Sequence, residues 1–179
     1  MKKHNFTAGP CILAPEVLEG AAAAVRVFEG MGLSLLEVSH RDKKVVAVME
    51  EAQQRALKTL GLGDDYAVLF LQGGASSQFA MVPFNLLTLN GRAGYLNTGT
   101  WASKAIEEAD KLAPGQALEF ASSKDRNFSY IPKGFAIPSG LDYVHYTSNN
   151  TIFGTQMKAF PKADSLMVCD MSSDIFSRQ

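Results

Sequence analysis

The sequence predicts an α/β fold built around a mostly parallel sheet. Apolar runs of strand length alternate with amphipathic stretches of helical period, the pattern that packs helices on the faces of such a sheet. Small and hydroxyl-bearing residues follow most of the strand runs, where ligands gather at the carboxyl ends of parallel strands.

Residues 15–28 read as the first helix. Pro15 suits its first position, where a missing N–H costs little. Leu18, Ala21, Ala22, Val25 and Phe28 recur at helical spacing until Gly30 and Gly32 break the pattern. A short segment, residues 35–41, leads to a second helix. There Val45, Val48, Met49, Ala52, Ala56 and Leu60 form one apolar stripe, and Gly61 and Gly63 stop it. Residues 66–71 form a continuous apolar run, as expected for a strand buried on both faces. A helical pattern follows the Gly73-Gly74-Ala75-Ser76-Ser77 loop to about Leu87, with Pro83 inside it to kink or shorten it. Residues 93–97 are a short strand. The turn Thr98-Gly99-Thr100 opens another helix, with Ala102, Ala105, Ile106 and Ala109 on one face. Residues 117–120, 143–146 and 165–170 are the remaining strands. Residues 122–140 are polar and rich in Pro, Gly and Ser, and read as a surface excursion. There is no internal repeat and no low-complexity segment.

A chain of 179 residues, 46% of them hydrophobic, suffices for a domain with a real core. Its 17 basic and 18 acidic residues are well mixed, so nothing points to a nucleic-acid or membrane-surface partner. Cys11 and Cys169 are too few and too far apart for a disulfide framework, and read as reduced packing residues. No Cys/His group has zinc-ligand spacing, so no metal is expected. The basic start is not followed by an apolar signal-peptide region, and no apolar run reaches transmembrane length. A cytoplasmic location is the expectation.

The residues after each strand carry the candidate chemistry, and each has a plainer alternative. The loop from Gly73 to Ser77 is either an ordinary tight turn or a phosphate cradle at a helix start. It is neither GxGxxG nor GxxxxGK[ST], so dinucleotide and P-loop sites are excluded. Trp101, the one tryptophan, either fills a core or offers a flat face to an aromatic ligand. Asp170 either caps a turn or pairs with a protonated ring nitrogen. His40 and Arg41 are either solvated surface or an anion-binding pair, for which the planar guanidinium fork suits carboxylate and phosphate.

In order and spacing, these segments resemble the phosphoserine aminotransferase family. The likeness starts at Asn5-Phe6-Thr7-Ala8-Gly9-Pro10 and continues through Glu37-Val38-Ser39-His40-Arg41. It then takes in Gly73-Gly74 with Gln78-Phe79, Gly99-Thr100-Trp101 and Asn150-Thr151-Ile152 with Gly154. It closes on Asp170, Ser172 and Ser173 with Ser177-Arg178. The resemblance implies the large domain of fold-type I enzymes and pyridoxal 5'-phosphate (PLP) as cofactor. It implies that the Ala75 and Ser76 backbone binds the cofactor phosphate and that Trp101 stacks on the ring. Thr151 would bond near the phenolic oxygen, Asp170 would pair with the ring nitrogen, and His40 and Arg41 would bind substrate anions. Several family members carry arginine where this chain has Ser76, so that part of anion binding shifts elsewhere here.

The implied reaction is amino transfer from L-glutamate to phosphohydroxypyruvate in serine biosynthesis, with a further role in pyridoxine biosynthesis in many bacteria. The implied assembly is a homodimer with active sites at the subunit interface. On this resemblance, residues 1–14 are an N-terminal arm and residues 15–179 are part of the large domain. The small C-terminal domain and the Schiff-base lysine are expected beyond Gln179, so the isolated chain is expected to be inactive. The alternatives are another class-V enzyme, of alanine–glyoxylate aminotransferase or cysteine desulfurase type, and a fragment that only folds or associates.

Overall fold

The computed structural model describes residues 3–177. Lys2 and the Arg178 of the closing motif lie outside the described residues. The chain divides into two compact units, Met1–Phe70 and Leu71–Arg178.

The first unit holds helices α1 (Pro15–Arg26) and α2 (Lys43–Leu60). Pro15 occupies the start of α1, as its fixed φ and missing donor favour. A single 3₁₀ turn, Leu35–Glu37, is closed by a capping box. The Ser34 hydroxyl accepts from Leu36 N–H, and the Glu37 carboxylate accepts from Ser34 N–H at 2.8 Å. Asp42 caps α2 by accepting from Lys44 N–H at 2.9 Å, and Gly61 ends the helix at φ 66°. The α2 stripe is only partly covered. Val45, Ala52, Ala56 and Leu60 are half-buried, whereas Val48 and Met49 are exposed. Among the described residues of this unit, Phe28 alone is buried.

Residues 66–71 form no strand. A strand needs a hydrogen-bonded neighbour, and no described residue supplies a ladder to this run. Tyr66, Leu69, Phe70 and Leu71 are accordingly exposed. Apolar periodicity reports what a segment would bury, not whether a partner is there to bury it.

The second unit is a four-stranded parallel sheet with helices against it. Helix α3 (Gly74–Leu86) runs three residues past Pro83, so the proline does not stop it early. Then come β1 (Ala93–Asn97), α4 (Thr100–Leu112), β2 (Ala117–Ser122), β3 (Tyr143–Thr147) and β6 (Leu166–Asp170), with a two-residue antiparallel ladder of β4 (Asn149–Asn150) and β5 (Thr155–Gln156) before β6. The order across the sheet is β2-β1-β3-β6, all parallel. Strands β1 and β3 are central and every residue in them is buried. On one face, Phe79 from α3 and Ala105 and Ala109 from α4 pack with Ala93, Tyr95 and Tyr143. The small alanines let α4 approach the sheet closely. On the other face lie Leu96, Tyr146 and Met157, with Ile131 and Phe135 packed against them. Residues 122–140 are therefore more than a surface excursion, since Ser123 and Pro132 within them are buried too.

The two cysteines are free. Cys169 is half-buried, but Cys11 is exposed, so it is not the packing residue expected. Among the described residues no group of His, Cys, Asp and Glu has the makings of a metal site. No described helix is long and apolar enough to cross a membrane.

Candidate functional site

The parallel register brings three strand ends to one edge of the sheet. Thr147 at the end of β3 lies beside Asp170 at the end of β6, and Asn97 ends the neighbouring β1. The first turn of α3 lies at this edge, and α4 follows β1 after two residues, Thr98 and Gly99. Parallel strands gather their loops in this way, so residues distant in sequence become neighbours.

At the start of α3, Gly73 and Gly74 both adopt positive φ, 94° and 60°. At Gly73 a Cβ would sit 2.2 Å from the Ser77 hydroxyl oxygen, so glycine is required twice over, by conformation and by space. No side chain caps this helix, and among the described residues no acceptor takes the Ala75 and Ser76 N–H groups. The first turn therefore presents free donors at the positive end of the helix dipole. Ala75 is half-buried and Ser76 exposed.

A cavity of about 240 Å³ lies between α3 and the sheet, lined on one side by Ala75, Gln78, Phe79 and Val82 and on the other by His145, Val168 and Asp170. Asp170 is half-buried. Its Oδ1 accepts from the Ser172 backbone at 3.0 Å and from the Ser172 hydroxyl at 2.5 Å, which fixes the carboxylate, and no described residue bonds Oδ2. Burial pushes His145 down to about 4, against the opposing pull of the Asp170 charge, so its imidazole is neutral at neutral pH. Burial likewise pushes the Cys169 thiol up to about 11, which makes it an inert thiol on the far side of β6.

Trp101, in the first turn of α4, is half-buried. Its indole N–H donates to Thr151 Oγ1 at 3.2 Å. The Lys104 ammonium stands 5.1 Å from the ring centroid. Thr151 opens the turn between β4 and β5, a ladder too short for sequence periodicity to reveal. Trp101 and Ala75 both pack against the same aromatic core around Phe79 and Tyr95. The structure thus joins Ala75 to Asp170 across the cavity and Trp101 to Thr151 by a hydrogen bond. His40 and Arg41 belong to the other unit, exposed on the turn before α2, where Arg41 N–H donates to the Ser39 hydroxyl at 3.2 Å.

Sequence reasoning gave Gln78, His145 and Thr147 no role of their own. The signal for the last two was period-2 alternation in β3, where Tyr143, His145 and Thr147 share a face.

Residues 4–179 match the model of the class-V aminotransferases. The chain is 60% identical to the phosphoserine aminotransferase of Flavobacterium psychrophilum over 179 residues, which is 99% of this chain and 50% of that protein. It superposes on the phosphoserine aminotransferase of Bacillus circulans subsp. alkalophilus with a TM-score of 0.92 at 47% identity, covering 99% of this chain and 49% of that one. The PLP-bound phosphoserine aminotransferase of Trichomonas vaginalis matches with a TM-score of 0.88 at 33% identity, over 97% of this chain and 49% of that one. The chain spans about half the length of the curated relatives it matches.

Proposed function

Because this chain belongs to the class-V aminotransferase family, we propose that it forms the cofactor-binding half of a phosphoserine aminotransferase. The reaction is amino transfer from L-glutamate to phosphohydroxypyruvate, giving O-phospho-L-serine and 2-oxoglutarate. The observation that carries this proposal is one cavity walled by an uncapped helix start at Ala75 and by the Asp170 carboxylate.

Pyridoxal 5'-phosphate asks three things of a protein: donors for its phosphate, an acid at its ring nitrogen and a flat surface for its ring. The residues present fit each demand. The free Ala75 and Ser76 N–H groups suit the phosphate. Asp170, with Oδ2 uncommitted, suits the ring nitrogen and holds a proton on it. Trp101 supplies the flat surface, and the bond it donates to Thr151 leaves the Thr151 hydroxyl hydrogen free for the phenolic oxygen. When bound, the cofactor supplies the electron sink that amino transfer needs. His40 and Arg41 are assigned to the substrate anions. Ser76, where several relatives carry arginine, adds no positive charge to that task. A homodimer, a cytoplasmic location and a part in pyridoxine biosynthesis belong to the same proposal and rest on family resemblance.

The test separates the two groups of residues in the complete enzyme. Asp170→Ala should lower kcat by roughly a hundredfold or more while the fold persists, the scale expected when a group acting on the reacting ring is lost. Arg41→Ala should raise KM for both anionic substrates and leave the absorbance of the bound cofactor intact. Near-normal turnover by Asp170→Ala would reject the assignment.

A further inference from the structure

We propose that His145 is a positioning residue for Asp170, holding its carboxylate in line with the group it meets in the cavity. The inference rests on the cofactor role proposed above for Asp170.

The β3–β6 register sets His145 beside Val168 and Thr147 beside Asp170. Side chains two residues apart on a strand share a face, so these four form one patch under α3. His145, Val168 and Asp170 all line the cavity. His145 is only 3% exposed, and its ring is gripped by Phe79 at 6.1 Å edge-on and by Tyr95 at 5.4 Å. Rings held on two sides do not swing, so the direction of the imidazole nitrogens is fixed.

Two polar atoms of this patch are buried without a partner among the described residues, His145 Nδ1 and Thr147 Oγ1. Thr147 is 1% exposed. Folded proteins pair nearly all buried polar atoms, and the few left over mark places where something is held. Both atoms belong to β3, on the face it shares with Asp170. The charged and titratable groups around His145 are Asp170 on β6, the Tyr95 phenol on β1 and the Tyr143 phenol on β3. The two phenols are bonded to each other at 2.6 Å and burial raises both, so they stay neutral and satisfied. Asp170 is the one charge that acts on the imidazole. A neutral imidazole has one N–H to donate and one lone pair to accept, which suits it to orient a carboxylate without neutralising it. The structure shows no direct bond between the two side chains. The inference requires a water that bridges the two side chains and also bonds Thr147 Oγ1.

The experiment is a double-mutant cycle in the complete enzyme, read as the dissociation constant for added PLP and as the pH midpoint of the bound cofactor's absorbance. H145F keeps a ring between Phe79 and Tyr95 but removes both nitrogens. H145N returns a nitrogen near the Nδ1 position. We expect H145F to weaken PLP binding about tenfold, the scale of one lost hydrogen bond to a charged group, and to shift the pH midpoint. H145N should recover most of both, and H145F should cost nothing further in a D170N background. Equal losses in the wild-type and D170N backgrounds, or PLP binding and a pH midpoint both unchanged in H145F, would overturn the inference while leaving the cofactor proposal standing. PLP binding unchanged in D170N would instead reject the cofactor proposal and the inference with it. If H145F fails to fold, H145L enters the same cycle with the same two outcomes.

Discussion

At Gly99 the backbone passes so close to its neighbours that a Cβ would stand 2.8 Å from Asn150 Oδ1 and 3.3 Å from Phe153. Its φ is 165°, ordinary extended backbone, so the constraint is space rather than conformation. Asn150 cannot swing aside, because it is buried and bonded to both Thr98 and Thr155. Gly99→Ala should therefore cost about 1–3 kcal/mol, the usual price of overpacking, seen as a lower urea midpoint. It should also disturb the fluorescence of Trp101 two residues on; an unchanged midpoint and spectrum would show that the turn yields. His145 gives a second expectation, in pH. Its folded value of about 4 lies below the ordinary 6.5, so below pH 6.5 the unfolded chain binds a proton that the folded chain refuses. The contribution is complete above pH 6.5 and is lost progressively as pH falls to about 4. A shift of that size corresponds to about 3 kcal/mol. Urea unfolding at pH 7 and pH 4.5 should show this loss in the wild type and a smaller one in His145→Phe. Equal losses in both would mean that carboxylates alone carry the acid sensitivity. The places of Trp101 and Asp170, just beyond β1 and at the end of β6, were legible in the sequence. His145 was not, because inside a buried run an imidazole looks like one more core ring, and only the neighbouring strand's register gives it a carboxylate.

Strands β1 and β3 were visible because burial on both faces leaves no alternation to misread, and β6 was visible from its apolar run although it is only partly buried. Their order in the sheet and the β4–β5 ladder were not visible, because pairing is a property of two segments and two-residue strands carry no period. Residues 66–71 show the same limit from the other side. The run has the composition of a core strand, yet its backbone joins no ladder and its side chains meet solvent. The Gln53 side chain donates to Val68 O at 2.9 Å, and Tyr66 N–H bonds to Gly63 O at 3.2 Å, but no repeating pairing follows. Amide exchange in this chain should therefore be fast across residues 67–71 and slow across Ala93–Asn97 and Tyr143–Thr147, which are paired on both sides. Protection of residues 67–71 equal to that of β1 would mean that the run finds a strand partner in solution.

The whole chain folds as two units, and the second alone carries the cavity, the uncapped helix start and the Asp170 carboxylate. What it does not carry is an amine at that cavity. An aminotransferase of this kind holds its cofactor on a lysine and uses the freed amine to move a proton. The sequence has eleven lysines, and every one precedes Asp170. In the second unit, Lys104, Lys111, Lys124, Lys133, Lys158 and Lys162 are all exposed, and none lines the cavity. Lys104 is tied up over the Trp101 ring and Lys111 is paired with Glu108 at 2.6 Å. In the first unit, Lys3, Lys43, Lys44 and Lys58 are exposed as well. These 179 residues by themselves should therefore bind PLP weakly and transfer no amino group. Mixing the purified chain with PLP, reducing with borohydride and mapping the label should give at most scattered, substoichiometric modification of the exposed lysines. One lysine labelled to completion, together with turnover that depends on glutamate, would show that the amine is supplied from within this sequence and that its position here is misjudged.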